Sequence, residues 1–393
     1  QKPLYDRINF IEKLSLMEGD EIPVSAFMKN IDGRFELGGS AYEKRGIAEF
    51  VPEWDKNKCI QCTMCSLVCS HATIRPFLLS NEEVQNVPMN TKLIPAKNQK
   101  LKNYQFTISV SPLDCSGCGV CVETCPVGAI QMVPQESQKD MQNVFDYLRK
   151  NINKKLETSE LPELMSSQFN QPLLEFSGAC GGCAETVYAK LITQLFGEQM
   201  YIANATGCSS IWGGPGGVSP YTVNNISKKG PAWANSLFED NAEFGLGIYL
   251  GQKHIRDNLI EKLEMLLKNT SSEQLKKAIL DFITSKDKTK ENITPTENLI
   301  KELEKDSSEL AEEILLQKDY LQKKSVWIFG GDGWAYDIGF GGLDHVLASK
   351  HNVNVFVFDT EMYSNTGGQS SKASNIGGVG QFSVSGKDVS KKN

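Results

Sequence analysis

The chain has 393 residues, enough for two or three domains that each bury a core of their own. Acidic residues outnumber basic ones by 48 to 41, a net charge of −7 with no basic excess to hold nucleic acid and no polybasic patch for a membrane surface. No apolar run approaches the roughly 20 residues of a membrane span. No charged-then-apolar leader precedes a small-residue cleavage site, so the expected setting is reducing and cytosol-like. The sequence opens on Gln1 rather than methionine and runs out in a Gly/Ser/Lys stretch, as a piece of something longer would.

Residues 1–50 are turn-rich, with Pro23, Asp32-Gly33 and Gly38-Gly39, and read as an arm or linker. The next segment, 51–136, carries a cysteine pattern twice: Cys59-x2-Cys62-x2-Cys65-x3-Cys69, then Cys115-x2-Cys118-x2-Cys121-x3-Cys125-Pro126. Eight of the eleven cysteines sit in these two runs. Three thiolates two residues apart can wrap one corner of an iron–sulfur cube, while the fourth, past a short turn, points away from it. Structural zinc would leave a surplus cysteine in each run, and residues three apart on a tight loop rarely meet disulfide geometry. The spacing resembles bacterial two-cluster ferredoxins, in which the fourth cysteine serves the other cluster. That resemblance implies one [4Fe-4S] cluster on Cys59, Cys62, Cys65 and Cys125, and a second on Cys115, Cys118, Cys121 and Cys69. Ser70 stands where proline normally follows the fourth cysteine, so the local turn is expected to differ. Between the runs, Phe77–Leu113 is an insert expected to form a hairpin or to carry partner contacts.

Residues 137–174 are polar and helix-prone, a connector; from 175 the composition shifts to glycine, small residues and aromatics. Ala179-Cys180-Gly181-Gly182-Cys183-Ala184-Glu185 and Gly207-Cys208-Ser209-Ser210-Ile211 fall here. A charged stretch, 252–324, interrupts this region, and Leu259, Leu263, Leu266 and Leu267 at helical spacing predict a solvated helical excursion. Ser325–Gly330 and Val353–Phe358, two apolar runs separated by a helix-length stretch, predict a β–α–β unit of buried parallel strands. Asp332 and Thr360 then fall beyond the strands' carboxyl ends, where ligands sit in such sheets. A carboxylate and a hydroxyl there can hold a hard, oxygen-seeking cation such as Mg2+, and glycines beside Asp332 with a helix opening at Trp334 favour a phosphate.

Together these motifs resemble pyruvate:ferredoxin oxidoreductases. Gly331-Asp332-Gly333-Trp334-Ala335-Tyr336-Asp337 and Asp359-Thr360-Glu361-Met362-Tyr363-Ser364-Asn365-Thr366-Gly367-Gly368 look like that family's diphosphate–Mg2+ motif. The resemblance implies an α/β thiamine-diphosphate-binding domain, a parallel sheet flanked by helices over 175–393, beside an α+β bacterial-type 2[4Fe-4S] ferredoxin-like domain. It implies Mg2+ on Asp332, Thr360 and the Met362 carbonyl. Thiamine diphosphate would be lined by Glu185, Cys208, Gly331, Asp332, Gly333, Trp334, Thr360, Glu361, Met362, Tyr363, Ser364 and Asn365, with Asn365 touching substrate. Cys180, Cys183 and Cys208 would hold a third [4Fe-4S] cluster, its fourth ligand missing here. The implied reaction is oxidation of pyruvate to acetyl-coenzyme A and CO2, with electrons leaving to ferredoxin or flavodoxin. The intact protein would be a cytoplasmic or hydrogenosomal homodimer with no nucleic-acid or membrane partner. Two alternatives remain open: a pyruvate:NADP+ oxidoreductase with a flavin reductase downstream, and a non-catalytic polyferredoxin electron carrier. The four histidines are not expected to be catalysts, Gly213–Gly217 reads as a flexible loop, and Trp212, Trp233 and Trp334 as core or pocket wall.

Overall fold

The computed structural model describes residues 10, 12–14, 16–215 and 218–392. Its contacts divide the chain into two compact units, one running to Glu198 and including Cys208–Pro231, the other comprising Gln199–Gly207 and Ala232 onward. Residues 175–198 and 208–231, expected with the second domain, therefore pack within the first.

In the first unit, β1 (Phe50–Trp54) and β5 (Ile130–Pro134) pair antiparallel with Val51 opposite Val133, closing the two cysteine runs into one body. Each run ends in a one-turn helix, α1 (Met64–Leu67) or α3 (Val120–Glu123). The insert forms a three-stranded antiparallel sheet of β2 (Ile74–Leu79), β4 (Gln105–Val110) and β3 (Ile94–Pro95), with β4 central. Ser80 and Glu83 close a capping box at α2 (Asn81–Val84). Trp54, Ile74, Phe106, Ile108 and Ile130 form the core beside the cysteines. Helix α4 (Met141–Asn151) buries Val144 and Leu148 against Leu79. The short α5 (Glu163–Ser167), α6 (Ala184–Phe196) and α7 (Cys208–Gly213) complete the unit.

The second unit is built on four parallel strands in the order β7-β6-β8-β9: β6 (Met200–Ala205), β7 (Ala232–Ser236), β8 (Ser325–Gly330) and β9 (Asn354–Val357). The predicted β–α–β unit is β8, α12 (Asp332–Tyr336), α13 (Phe340–Ala348) and β9. Helix α8 (Asn241–Asn269) lies so close to the sheet that a Cβ on Gly245 would come within 2.5 Å of Ile328 Cγ1. The helical excursion is better organised than expected. Helices α8, α9 (Glu273–Ser285), α10 (Ile293–Leu303) and α11 (Glu309–Leu316) enclose a core of their own from Leu259, Leu263, Ile279, Phe282, Leu299 and Ile314. Among the described residues, no helix is long and apolar enough to cross a membrane.

Candidate functional site

The two cysteine runs build matching loops. The second and fourth residues after each leading cysteine adopt left-handed backbone, Gln61 and Thr63 in the first run (φ 64° and 61°), Gly117 and Gly119 in the second (φ 71° and 78°). This turn points amides inward: Gln61 N donates to Cys59 Sγ (3.3 Å), and Gly117 N to Cys115 Sγ (3.4 Å). The fourth cysteines are matched too, Thr73 N donating to Cys69 Sγ (3.3 Å) and Ala129 N to Cys125 Sγ (3.2 Å).

The loops ring two chambers. One is lined by Cys59, Cys62, Cys65 and Cys125 under Trp54 and Ile108. The other is lined by Cys69, Cys115, Cys118 and Cys121 with Ile74 and Met132. All eleven cysteines are free. Among the described residues, no three His, Cys, Asp or Glu side chains converge as they would on a single metal ion. Four thiols spread around an apolar volume and already receiving N–H···S bonds fit a multi-iron cube, whose positive core offsets the cost of burying thiolate. Without that charge, burial pushes Cys115 and Cys121 up to about 12. Cys69 behaves differently: burial pushes it up, but Lys190 and hydrogen bonds from Thr73 bring it below its ordinary value.

Cys180, Cys183 and Cys208 form a third group. Cys183 precedes α6, Cys208 opens α7, and Cys208 rises to about 11 through burial and then the fields of Glu185, Cys183 and Cys180. Glu185 accepts from Trp212 Nε1 (2.8 Å). The Cys180–Cys183 loop lies against the second chamber, since a Cβ on Gly181 would sit 3.5 Å from Cys118 Cβ. Of the Gly213–Gly217 run, Gly216 and Gly217 lie outside the described residues.

In the second unit, Asp332 follows β8 and is 2 % exposed. Its Oδ1 accepts from Thr360 N (3.1 Å) and its Oδ2 from Ser371 Oγ (2.8 Å). Thr360 Oγ1 in turn donates to the Met362 carbonyl (2.9 Å). Beyond the ends of β8 and β9 the Asp332 carboxylate is thus tied to the Thr360 backbone, and the Thr360 hydroxyl to the Met362 carbonyl, oxygen groups of the kind Mg2+ takes. Burial raises the Asp332 carboxyl, and the Ser371 and Thr360 bonds oppose that rise. Helix α12 begins at Asp332, not Trp334, and runs for five residues, so its dipole adds little and the carboxylate dominates. A Cβ on Gly333 would lie 3.2 Å from Tyr363 Cε1, and Trp334 is buried. Glu361 adopts left-handed backbone (φ 61°) and accepts from Asn375 Nδ2 (2.8 Å). Strands β10 (Met362–Tyr363) and β11 (Gln369–Ser370) pair as a hairpin whose exposed tip holds Ser364 and Asn365.

The family model described as a 4Fe-4S dicluster domain matches residues 58–129, and one described as a domain of unknown function matches residues 9–48. The chain is 48% identical over 388 residues to the pyruvate-flavodoxin oxidoreductase of Klebsiella pneumoniae, covering 98% of this chain and 33% of that protein. It is 48% identical over 396 residues to the pyruvate:ferredoxin oxidoreductase of Moorella thermoacetica, covering 98% and 34%. The mitochondrial pyruvate dehydrogenase [NADP(+)] of Euglena gracilis is 47% identical over 397 residues, covering 98% and 22%. Over nearly its whole length the chain is similar to a portion of pyruvate:ferredoxin and pyruvate-flavodoxin oxidoreductases. It spans about a third of the length of the first two of these relatives.

Three features of the chain escape the sequence motifs. His71 is buried, with Nδ1 3.0 Å from Ser70 Oγ and 3.4 Å from Ser116 Oγ, and Nε2 2.9 Å from the Ala179 carbonyl. Ser70, the departure from the ferredoxin pattern, thus helps His71 join three cysteine-bearing loops. Lys190, buried on α6, donates to the carbonyls of Ser66, Leu67 and Cys69. Burial lowers this ammonium to about 8, with Cys69 opposing the fall. Glu175 pairs inside the unit with Arg75 of β2 and Arg149 of α4. A sequence signal existed only for Lys190, seven residues after Cys183 and so on the same helical face.

Proposed function

We propose that the intact parent protein oxidises pyruvate with coenzyme A to acetyl-coenzyme A and CO2 and passes the electrons to ferredoxin or flavodoxin. The observation that carries this reading is the joint presence, in a chain similar to these oxidoreductases, of two four-thiol chambers and the Asp332–Thr360–Met362 oxygen set. Thiamine diphosphate, when bound, supplies the carbanion chemistry that decarboxylation needs.

The residues' roles in this reading follow their chemistry. Asp332, the Thr360 hydroxyl and the Met362 carbonyl hold Mg2+, and Gly331, Gly333 and Trp334 with Glu361, Tyr363 and Ser364 line the cofactor. Gly333 keeps space free beside Tyr363, and Ser371 aims the Asp332 carboxylate. Asn365, at the exposed hairpin tip, contacts substrate. The resemblance also assigns Glu185 and Cys208 to the cofactor's lining. Cys59, Cys62, Cys65 and Cys125 hold one [4Fe-4S] cluster, Cys69, Cys115, Cys118 and Cys121 a second, and Cys180, Cys183 and Cys208 three corners of another. The parent works as a homodimer in the cytoplasm, or in a hydrogenosome.

A second reading keeps the chemistry and changes the acceptor to NADP+, supported by the 47% identity to a protein named pyruvate dehydrogenase [NADP(+)]. The polyferredoxin reading leaves the assembled Asp332 oxygen set without a purpose. The test is Mg2+-dependent retention of thiamine diphosphate by the full-length protein and by its Asp332→Asn variant. Retention lost in the variant, with iron content unchanged, supports the assignment. Cluster reduction by pyruvate in protein stripped of thiamine diphosphate would refute the mechanism.

A further inference from the structure

The two chambers are near copies in backbone and N–H···S bonding, but their electrostatic surroundings differ. At the end of α1, beside Cys69, stands the buried ammonium of Lys190, 2 % exposed. Its donors go to three carbonyls: Ser66, Leu67 (3.0 Å) and Cys69 (2.9 Å). Three neutral acceptors satisfy the hydrogen bonds but do not cancel the charge. At the matching place in the second loop, Glu123 occupies the position that Leu67 holds in the first, four residues before Val127 as Leu67 is before His71. One loop end therefore carries a buried cation, and the other an exposed carboxylate.

The helix that supplies Lys190 also frames the third thiol group. Cys183 immediately precedes α6, and Lys190 lies two turns further along the same face. The Cys180–Cys183 loop rests on Cys118 of the second chamber, within ordinary contact distance. Helix α6 thus links the Cys180–Cys183 loop, which rests on the second chamber, to a positive charge at the backbone of Cys69.

We propose that Lys190 is a positioning charge that raises the reduction potential of the cluster on Cys69, Cys115, Cys118 and Cys121. That cluster then becomes the lower-energy first stop for electrons arriving from the Cys180/Cys183/Cys208 loop. This rests on the cluster assignments above. A reduced cluster carries one more negative charge than an oxidised one, so a fixed cation in a low-dielectric surround favours reduction. One electron leaves the donor cluster, which is oxidised, and enters the acceptor cluster, which is reduced; Lys190 keeps its proton throughout. Lys190 bonds the backbone of Cys69 itself (2.9 Å), whereas toward the other chamber it reaches the carbonyl of Ser66, one residue beyond Cys65. The charge therefore separates the two potentials instead of shifting both alike.

The experiment is a dithionite redox titration of the full-length, cluster-loaded protein, followed by electron paramagnetic resonance, comparing wild type with Lys190→Met, Lys190→Gln and Lys190→Arg. The expected result is that one cluster of the ferredoxin-type pair becomes harder to reduce in both uncharged variants. Its midpoint should move down by at least about 59 mV, the equivalent of a tenfold change in a one-electron equilibrium. The other cluster should move less, and Lys190→Arg should stay near wild type. Unchanged potentials in fully iron-loaded Lys190→Met or Lys190→Gln overturn the proposal. So does an equal shift in Lys190→Arg, which would mean altered packing rather than lost charge. Loss of that cluster's iron from both uncharged variants but not from Lys190→Arg also overturns it, replacing tuning by a role in cluster retention. A wild-type parent with no cluster signals refutes the cluster assignment itself, a result distinct from all of these.

Discussion

Replacing Glu175 with glutamine removes the negative charge from an ion triad sealed inside the first unit. The Glu175 side chain has no exposure, Arg75 only 6%, and both Arg75 and Arg149 bond to it directly. The Arg75 guanidinium also stacks 5.3 Å from the ring centres of Phe145 and Phe176, so it cannot swing out to water without breaking the core. Burial alone would raise the Glu175 carboxyl, but Arg149 and Arg75 overcome it and hold it at about 2, against 4.5 ordinarily. That fall corresponds to about 3 kcal/mol at 1.36 kcal/mol per pH unit. It also matches the roughly 3–5 kcal/mol lost when one partner of a buried pair is removed. Because the folded value is depressed, the contribution is complete above pH 4.5 and disappears as pH falls through about 2. The assay is hydrogen exchange at neutral pH on the full-length protein, following amides of β2 and α4. Glu175→Gln should lower their opening free energy by about 3 kcal/mol, speeding exchange roughly a hundredfold or more. A change below about 1 kcal/mol would refute the claim that the triad ties β2 to α4.

Three further outcomes follow from the same contacts. Gly330→Ala would place a Cβ 2.4 Å from Trp334 Cε3 and 2.9 Å from Ala205 Cβ. The overpacking should cost about 1–3 kcal/mol and, on the proposed thiamine reading, weaken the stabilisation expected from added Mg2+ and thiamine diphosphate in a thermal melt. Cys125→Ser should remove the iron of the chamber that Cys59, Cys62 and Cys65 line while leaving the other, read as one lost paramagnetic signal and a matching drop in iron content. Phe282→Ala empties the centre of the four-helix excursion, where Phe282 is wholly buried. It should cost about 3–5 kcal/mol, melt α8 to α11 locally by hydrogen exchange, and leave iron content unchanged.

The chambers were legible because cluster ligands are local: each loop supplies three thiols within seven residues, and the repeat of the spacing announces a pair. Only the exchange of the fourth cysteines needed the ferredoxin resemblance, and the antiparallel pairing of β1 with β5 shows what brings the loops together. The β–α–β unit was legible for a similar reason, since two short apolar runs flanking a helix have few ways to be buried. Asp332 and Thr360 are 28 residues apart, yet strand ends bring them together by a rule that the pattern alone invokes. The helical excursion was read as solvated because its charged residues dominate the composition; its buried face became visible only when four helices met.

His71, Lys190 and Glu175 had no comparable local signature. Lys190 reaches Cys69 across 121 positions, His71 meets Ala179 across 108, and Glu175 meets Arg75 across 100. Short-range spacing writes ligand loops and strand ends into the chain because the chemistry lies within a few residues of itself. The placement of a lone buried charge depends on which distant segments fold against one another, and there the backbone path, not the motif, makes the choice.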